Sequence, residues 1–279
     1  MNNLNKLKKN KYIRLMRLDK PIGILLLLWP TLWAVWTAGQ GHPSVKIIII
    51  FTLGVIIMRS AGCIINDIAD REIDKYVKRT KTRPITAGEV SVKNALILFF
   101  GLLIIAFVLV LQLNLFAILL SVIALNLACL YPFTKRFLYY PQLFLGLAFA
   151  ASIPMAFAAE LNYLPVECWV MFAVGVLWPL MYDTQYAMVD REDDIKLHVK
   201  STAILLGKWD VYFIGLLQAV LLILLFITGL RVSLIVMGGL FGYQLYLIKN
   251  RDRQNCFKAF LNNQWVGLAI FLGSVLPWM

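Results

Sequence analysis

The stretch that decides the fold is residues 45–74, VKIIIIFTLGVIIMRSAGCIINDIADREID, in which an apolar block runs directly into a cluster of acids. A helix of about 20 apolar residues spans a hydrocarbon core roughly 30 Å thick. Charged side chains are costly inside that core, so the acids that begin at Asp67 indicate where the helix leaves it. This stretch therefore predicts a membrane-spanning helix with an acidic end.

The rest of the chain repeats this pattern of apolar blocks. Of its 279 residues, 61% are hydrophobic and only 15% are charged, whereas a soluble domain is about half apolar and a quarter charged. We predict an all-α polytopic membrane protein, with nine transmembrane helices in a single domain, 1–279, that begins with a basic segment, 1–20. The predicted spans are 22–39, 45–65, 94–111, 114–131, 142–159, 166–183, 211–229, 232–248 and 265–279.

The basic residues lie mainly on one side of these spans. All but three of the 27 Lys and Arg residues fall in the N-terminal segment or in alternate loops, and the exceptions are Lys46, Arg59 and Arg231. Cytoplasmic loops of membrane proteins carry an excess of Lys and Arg. We therefore predict a cytoplasmic N-terminus and cytoplasmic acidic segments. This asymmetry also accounts for the net charge of +12 without a nucleic-acid partner.

A second acidic segment echoes the first. Residues 69–74 read ADREID and residues 189–194 read VDREDD, and each follows a predicted span. Helical spacing places three acids of each segment within about 60° on one face: Asp67, Asp70 and Asp74, then Asp183, Asp190 and Asp194. Because neighbouring carboxylates repel one another, two such clusters favour a shared cation. Mg²⁺ prefers oxygen ligands and is usually completed by substrate phosphates. The alternative is a solvated, charged interfacial loop.

Basic residues are interleaved with these acids. Candidates for binding a diphosphate are Lys78 in the first acidic loop, Lys200 in the loop after the second acidic segment, and Tyr131, Lys135 and Arg136 between them. Metal ions and Lys or Arg side chains together neutralise phosphate oxygens. No Walker-type glycine-rich motif is present, so a P-loop nucleotide site is not supported. The alternative for each base is a role in membrane topology alone.

Arg59 lies inside a predicted span, seven residues before Asn66. A charge at that depth is a functional candidate by default. Two helical turns place Arg59 near the Asn66 face and about 10 Å deeper. A substrate that bears a carboxylate is a natural partner for it. The alternative is a structural pair with a buried acid.

In its motifs, the chain resembles the UbiA-type intramembrane prenyltransferases, and among them most closely those that prenylate 4-hydroxybenzoate in ubiquinone biosynthesis. The matching runs occur in the same order along nearly the whole chain. They include MRLDKPIG at 16–23, LWPTLW at 28–33, RSAGCIIND at 59–67, YPFTKR at 131–136 and DTQYAMVDR at 183–191.

The resemblance implies a nine-helix bundle around a central cavity that cytoplasmic loops cap. It implies that Mg²⁺ on the diphosphate is held by Asn66, Asp70, Asp190 and Asp194. It further assigns Tyr131 and Lys135 to the diphosphate, Arg136 to activity and Arg59 to the aromatic carboxylate. The family usually has glycine where this chain has His198, and we expect that difference to affect closure of the loop.

The implied reaction transfers a polyprenyl group from polyprenyl diphosphate to the carbon ortho to the hydroxyl of 4-hydroxybenzoate. The implied location is the bacterial inner membrane, with no nucleic acid and no obligate protein partner. Candidates for accepting the ring proton are Asp67, Asp74 and Asp183. Two alternatives stay open: an acceptor such as a naphthoate, haem or chlorin, and a cation-coupled transporter, because acids near spans also mark ion pathways.

Overall fold

The structure, a computed structural model, describes residues 10–77, 79–134 and 136–278. These residues form α-helices and two short 3₁₀ segments, with no β-strand among them. The α-helices are α1 (Lys11–Leu15), α2 (Ile22–Ala38), α3 (Val45–Asp74), α4 (Val92–Val110), α5 (Leu115–Thr134), α6 (Pro141–Ala150), α7 (Ser152–Leu161), α8 (Val166–Lys196), α9 (Thr202–Leu206), α10 (Asp210–Ile227), α11 (Arg231–Ile248) and α12 (Arg253–Val275).

The helices have the length and composition of membrane spans, which confirms the all-α membrane prediction. Two shorter apolar helices cover 22–38 and 233–248. Within the described part of the chain, six helical stretches are long and apolar enough to cross a membrane: Val45–Asp74, Val92–Val110, Leu115–Thr134, Pro141–Leu161, Val166–Lys196 and Thr202–Ile227. The total of nine spans and the cytoplasmic N-terminus stay predictions.

Helices α3 and α8 are the longest, with 30 and 31 residues. Both continue without a break beyond the ends of the predicted spans at residues 65 and 183, so each acidic segment is the last two or three turns of a membrane helix. The C-terminal ends of α3 and α8 lie at the same end of the bundle, which we call the acidic end. The helical spacing of the acids therefore applies to the folded chain.

Helices α2 and α8 form the packed centre of the bundle. Helix α8 packs against α6, α10 and α12, while α2 packs against α3, α7 and α12. Trp33 of α2 lies 5.7 Å from Trp178 of α8, measured between ring centroids. Gly267 of α12 permits this packing, because a Cβ there would lie 2.4 Å from Trp29 and 2.6 Å from Trp178. Aromatic contacts and the close packing at Gly267 thus hold these helices together, because in lipid the hydrophobic effect does not drive helices to associate.

Buried amides connect the same helices. The Gln244 side chain accepts hydrogen bonds from Gln185 at 3.0 Å and from Gln218 at 3.1 Å. Asn263 donates to Gln185 at 2.9 Å and accepts a hydrogen bond from Trp178 at 3.2 Å. Hydrogen bonds of this kind join helices inside membranes. The network holds α8 against α10, α11 and α12, and so fixes the helix that carries Asp183 and Asp190.

Helices α4 and α5 are peripheral by contrast. Of the most apolar 18 residues of each helix, only 11% are buried. The two helices scarcely contact one another. Large apolar side chains on their outer faces are exposed, such as Ile104 and Ile123. This composition is typical of lipid-facing helices. Their inner faces enclose a cavity.

Candidate active site

A cavity of about 760 Å³ extends through the bundle from the acidic end. Its wall on α3 runs from Asp67 to Ile50, a length of roughly 25 Å at the helical rise. Further apolar wall residues on α4 and α5 include Leu103, Phe107 and Leu125. The cavity is thus long and apolar over most of its depth, with its charged residues concentrated at the acidic end.

The mouth of the cavity carries more positive than negative charge. Its basic lining residues are Arg14, Arg17, Lys20, Arg79 and Arg83, and its acidic ones are Asp19 and Asp67, while Asp183 lies two helical turns deeper than Asp190. Guanidinium groups suit phosphate and carboxylate oxygens, because they donate two parallel hydrogen bonds. The mouth is therefore electrostatically suited to an anionic group.

At the end of α3, buried carboxylates are paired with arginines from other segments. Asp67 is 1% exposed, and Arg17 Nη2 donates to both of its oxygens at 2.8 and 2.9 Å. Arg83 Nη1 lies 3.1 Å from Asp67 and 2.7 Å from Asp74. Burying an unpaired charge is strongly unfavourable. These arginines therefore let α3 keep its acids inside the protein.

At the end of α8, Asp190 contacts an arginine from the loop that follows α3. Arg79 donates to Asp190 from Nη2 at 2.6 Å and from Nε at 3.3 Å. The same guanidinium lies over the Tyr186 ring, 4.7 Å from its centroid. Burial disfavours the charged form of Arg79, but the attraction of Tyr186 and Asp190 outweighs it and raises the pKa of Arg79. Arg79 therefore stays charged and links the two acidic segments.

A second ion-pair network anchors the outer part of α8 to α10 and α12. Asp210 is fully buried and pairs with Arg191 and with Arg251, the latter at 2.8 Å. Arg253 pairs with Asp193 and donates from Nε to the Val189 carbonyl at 2.6 Å. The position of the second acidic segment is thus set by arginines at the end of α8 and at the beginning of α12.

Arg59 lies on the cavity wall below the acids, where Phe149 also lines the cavity. Its guanidinium carbon is 5.5 Å from the centroid of the Phe149 ring. Tyr131, Tyr182 and Asp183 line the same cavity. Within the described ranges, the buried Arg59 Nε has no hydrogen-bond partner. A buried guanidinium with an unused donor is a candidate anion-binding group.

The structure brings many of the predicted site residues together. Those on the cavity wall are Asn66, Asp67, Tyr131, Asp183 and Arg59. Asp70, Asp74 and Asp190 are buried next to the mouth, with 3%, 5% and 8% exposure, and Asp194 is half-buried. Lys78 and Lys135 lie outside the described residues.

Arg136 and Lys200 contact backbone rather than the cavity. Arg136 Nη2 donates to the Ala69 carbonyl at 2.6 Å, next to Asp70 on α3. Lys200 Nζ donates to the Phe137 carbonyl at 2.9 Å and lies 4.8 Å from the centroid of Tyr139. In this arrangement both side chains hold the segment after α5 against its neighbours.

Sequence reasoning missed four arginines that pair with the acids: Arg17, Arg79, Arg83 and Arg253. The first three lie in basic stretches that the topology argument explained as orientation signals, and Arg253 lies 60 residues beyond Asp193. The sequence carried no local signal for these pairings. For Arg17, the one indication of a role at the site was its place in the run MRLDKPIG, residues 16–23, which carries part of the family resemblance.

The arrangement of carboxylates limits how many protein ligands a metal ion could have at this site. Among residues 10–77, 79–134 and 136–278, no group of three or more His, Cys, Asp or Glu side chains could hold a metal. Mg²⁺ commonly uses one or two carboxylates and takes its other ligands from water and substrate phosphates. One or two carboxylates at the acidic end, together with water and phosphate oxygens, would therefore suffice to hold Mg²⁺.

His198 ends α8 in a conformation that glycine adopts most easily. Its φ of +53° lies in the left-handed region. His198 N–H donates to Ile195 O at 3.3 Å, and Val199 N–H donates to Asp194 O at 3.0 Å. These two hydrogen bonds form a Schellman motif. The chain thus ends this helix as a glycine would, with histidine bearing the strain.

Comparisons of sequence place these features among known proteins. The family model described as "UbiA prenyltransferase family" matches residues 27–273. The 4-hydroxybenzoate octaprenyltransferase of Coxiella burnetii (strain CbuK_Q154) is 54% identical over 275 residues, which cover 96% of each chain. The enzyme of the same name from Vibrio cholerae serotype O1 (strain O395) is 54% identical over 277 residues, covering 96% of this chain and 98% of the relative.

Solved structures share the fold. A UbiA homolog from Aeropyrum pernix K1 has a TM-score of 0.79 at 24% identity, covering 91% of this chain and 98% of that one. A UbiA homolog from Archaeoglobus fulgidus bound to GPP and Mg²⁺ has a TM-score of 0.73 at 17% identity, covering 96% and 100%. With the family match over most of the chain, these findings identify the protein at the level of its family. The chain belongs to the UbiA prenyltransferase family.

Proposed function

We propose that this protein transfers an all-trans polyprenyl group from polyprenyl diphosphate to 4-hydroxybenzoate, a step of ubiquinone biosynthesis. The products are 3-polyprenyl-4-hydroxybenzoate and diphosphate. Relatives named 4-hydroxybenzoate octaprenyltransferase, 54% identical over nearly the whole chain, support the choice of acceptor. The observation that carries the proposal is a cavity with a charged mouth, an apolar interior and an arginine, Arg59, between them.

The donor's diphosphate is proposed to bind at the mouth. Arg17, Arg79 and Arg83 line it and carry permanent positive charge. The proposed metal ligands are Asn66, Asp70, Asp190 and Asp194. Mg²⁺ bound there supplies positive charge that stabilises the diphosphate as it leaves. Arg79 contacts Asp190 in the structure, so its guanidinium lies beside a proposed metal ligand, where it would also bind a diphosphate oxygen.

The other residues of the predicted site receive supporting roles in the proposal. Tyr131 lies on the cavity wall, and with Lys135 it is assigned to the diphosphate. Lys78 and Lys200 are further proposed phosphate contacts from the loops. Arg136 is proposed to act through the backbone of α3, which it contacts at Ala69.

The prenyl chain is proposed to extend along the apolar interior. The wall on α3 alone is roughly 25 Å long, and α2, α4 and α5 supply further apolar wall residues. An apolar enclosure excludes water, which would otherwise capture the allylic cation formed as diphosphate departs. The cavity walls therefore protect the reacting carbon as well as binding the chain.

The acceptor is proposed to bind with its carboxylate on Arg59. The ring carbon ortho to the hydroxyl then forms a bond to C1 of the prenyl chain, the C–O bond to diphosphate breaks, and the ring proton passes to a base. The proposed acceptors of this proton are Asp67, Asp74 and Asp183, of which Asp67 and Asp183 line the cavity.

The proposed location is the bacterial inner membrane, with the acidic end in the cytoplasm and one transmembrane domain over residues 1–279. The distribution of Lys and Arg supports this orientation. A reporter fused after Gly88, in the loop between α3 and α4, tests it. A cytoplasmic reporter signal is expected, and a periplasmic signal contradicts the orientation.

The function is tested by incubating purified protein with 4-hydroxybenzoate, octaprenyl diphosphate and Mg²⁺, and detecting the product by mass spectrometry. Prenylated 4-hydroxybenzoate is expected, and excess EDTA should abolish its formation. Donors of several lengths then define chain preference. Absence of product with every donor, or preference for a dihydroxynaphthoate acceptor, contradicts the proposal.

A further inference from the structure

Gly23, in the first turn of α2, lies directly against the Arg59 guanidinium. A Cβ at residue 23 would be 2.6 Å from Arg59 Nε, 2.7 Å from Nη2 and 3.0 Å from Cζ. Carbon and nitrogen atoms that are not bonded cannot approach to 2.6 Å. Any side chain at position 23 would therefore displace the guanidinium from its present position.

The backbone of α2 gives no other reason for glycine at this position. Gly23 is absent from the residues with positive φ, so its conformation is open to any residue. All three of the nearest atoms to the missing Cβ belong to Arg59. Gly62 lines the same cavity on α3, yet a Cβ there would meet nothing within 4 Å. The close approach is thus specific to Gly23 and Arg59.

Phe149 lies near the guanidinium as well, with its ring centroid 5.5 Å from Cζ. Gly23, Phe149 and Arg59 all line the cavity. The guanidinium packs against the backbone of Gly23 and is attracted to the ring of Phe149 by a cation–π interaction. Neither contact uses an N–H donor of the guanidinium. In the described part of the chain, the buried Arg59 Nε is indeed without a hydrogen-bond partner.

We propose that Gly23 is a positioning residue for the acceptor: it leaves the space in which Arg59 takes the orientation that binds the substrate's carboxylate. This inference rests on the proposed function. A planar guanidinium binds a carboxylate through two parallel hydrogen bonds, which require a defined orientation. Small misplacements of a binding group cost large factors in rate. Specificity for a carboxylated acceptor thus depends on a residue that has no side chain.

Replacing Gly23 by alanine should leave the fold intact. The displaced atoms are the far end of a flexible side chain, not backbone, and alanine is a better helix former than glycine. With the guanidinium moved, KM for 4-hydroxybenzoate should rise about tenfold or more. KM for octaprenyl diphosphate should stay within about twofold of wild type, because the donor's phosphate contacts lie at the mouth.

The matched control is Gly101→Ala on α4. A Cβ at Gly101 meets nothing within 4 Å, and Gly101 does not line the cavity. Both KM values should stay at the wild-type level in this variant. Melting temperatures of both variants in detergent establish that each is folded.

A double-mutant cycle separates positioning from a general structural role. Arg59→Lys removes the guanidinium atoms that meet the alanine. In the Arg59→Lys background, Gly23→Ala should therefore change KM for 4-hydroxybenzoate by less than about twofold. A tenfold rise in both backgrounds overturns the inference, and so does an unchanged KM in the Gly23→Ala single variant.

Wild-type protein assayed in parallel distinguishes the two proposals. If wild type forms no prenylated 4-hydroxybenzoate, the proposed function fails and the role of Gly23 falls with it. If wild type is active and Gly23→Ala has the wild-type acceptor KM, only the role of Gly23 fails.

Discussion

The two acidic segments have nearly the same sequence but different surroundings. At the position after the shared aspartate, Arg71 on α3 has a side chain 47% exposed and pairs with the exposed Glu72. The equivalent Arg191 on α8 is 20% exposed and pairs with the fully buried Asp210. The shared aspartates themselves, Asp70 and Asp190, are both buried.

The aspartate and the arginine of the repeated Asp-Arg-Glu sequence are therefore subject to different structural constraints. The aspartates are equivalent because both helix ends lie at the same cavity mouth. The arginines differ because α8 runs beside the beginnings of α10 and α12, whereas Arg71 lies on the exposed face of the last turn of α3. Each helix end is fixed by its own arginines, Arg17 and Arg83 for α3, and Arg191 and Arg253 for α8. The comparison can be tested by substitution at matched positions.

The largest effect is expected from Asp190→Ala, which removes a proposed metal ligand. Turnover should fall by at least about a thousandfold, as when a main electrostatic contributor is lost. The assay is formation of prenylated 4-hydroxybenzoate in membranes supplied with Mg²⁺. Glu192→Gln is the matched control, because Glu192 is an exposed acid of the same segment, and it should retain most activity. Full activity of Asp190→Ala contradicts the metal assignment.

Asp210→Ala should have the largest effect on stability. It leaves Arg191 and Arg251 partly buried without their shared carboxylate, and breaking a buried pair costs about 3 kcal/mol or more. We expect a clear drop in the melting temperature of the detergent-solubilised protein. Asp210→Asn keeps the shape and should recover part of the loss. A wild-type melting temperature for Asp210→Ala shows that the network does not anchor α8.

The matched pair Arg191→Ala and Arg71→Ala sharpens the comparison most directly. Arg191→Ala should destabilise the protein by about 2 kcal/mol, since a charge-assisted hydrogen bond to a buried acid is lost while Arg251 remains. Arg71→Ala should leave the melting temperature within the error of measurement, because exposed ion pairs contribute little. Equal effects of the two substitutions would show that the segments are anchored alike.

His198→Gly should give the smallest effect, and a favourable one. Glycine takes the left-handed conformation at the end of α8 without the strain that histidine bears there. We expect a gain of about 1 kcal/mol in the free energy of unfolding. His198→Ala is the control and should not stabilise, since alanine keeps a Cβ. A loss of stability in His198→Gly contradicts the assigned strain.

Much of the fold could be predicted because hydropathy and helical period are local properties of the chain. The predicted span 265–279 was the least accurate, as α12 runs from Arg253 to Val275. Hydropathy alone could not identify its first turns, which contain polar residues such as Asn262 and Asn263. In the folded chain, both Asn side chains are hydrogen-bonded to other helices through the buried amide network.

The sequence by itself determined a helical membrane protein with two acidic helix ends, an arginine inside a span and the residue types proposed for a metal–diphosphate site. Only the tertiary structure decided which arginine pairs with which acid and which glycine admits the Arg59 guanidinium. The physical reason is the separation along the chain over which each property acts. Hydropathy and helical spacing act between neighbours in the chain, whereas Arg79 and Asp190, or Gly23 and Arg59, meet only when distant helices pack.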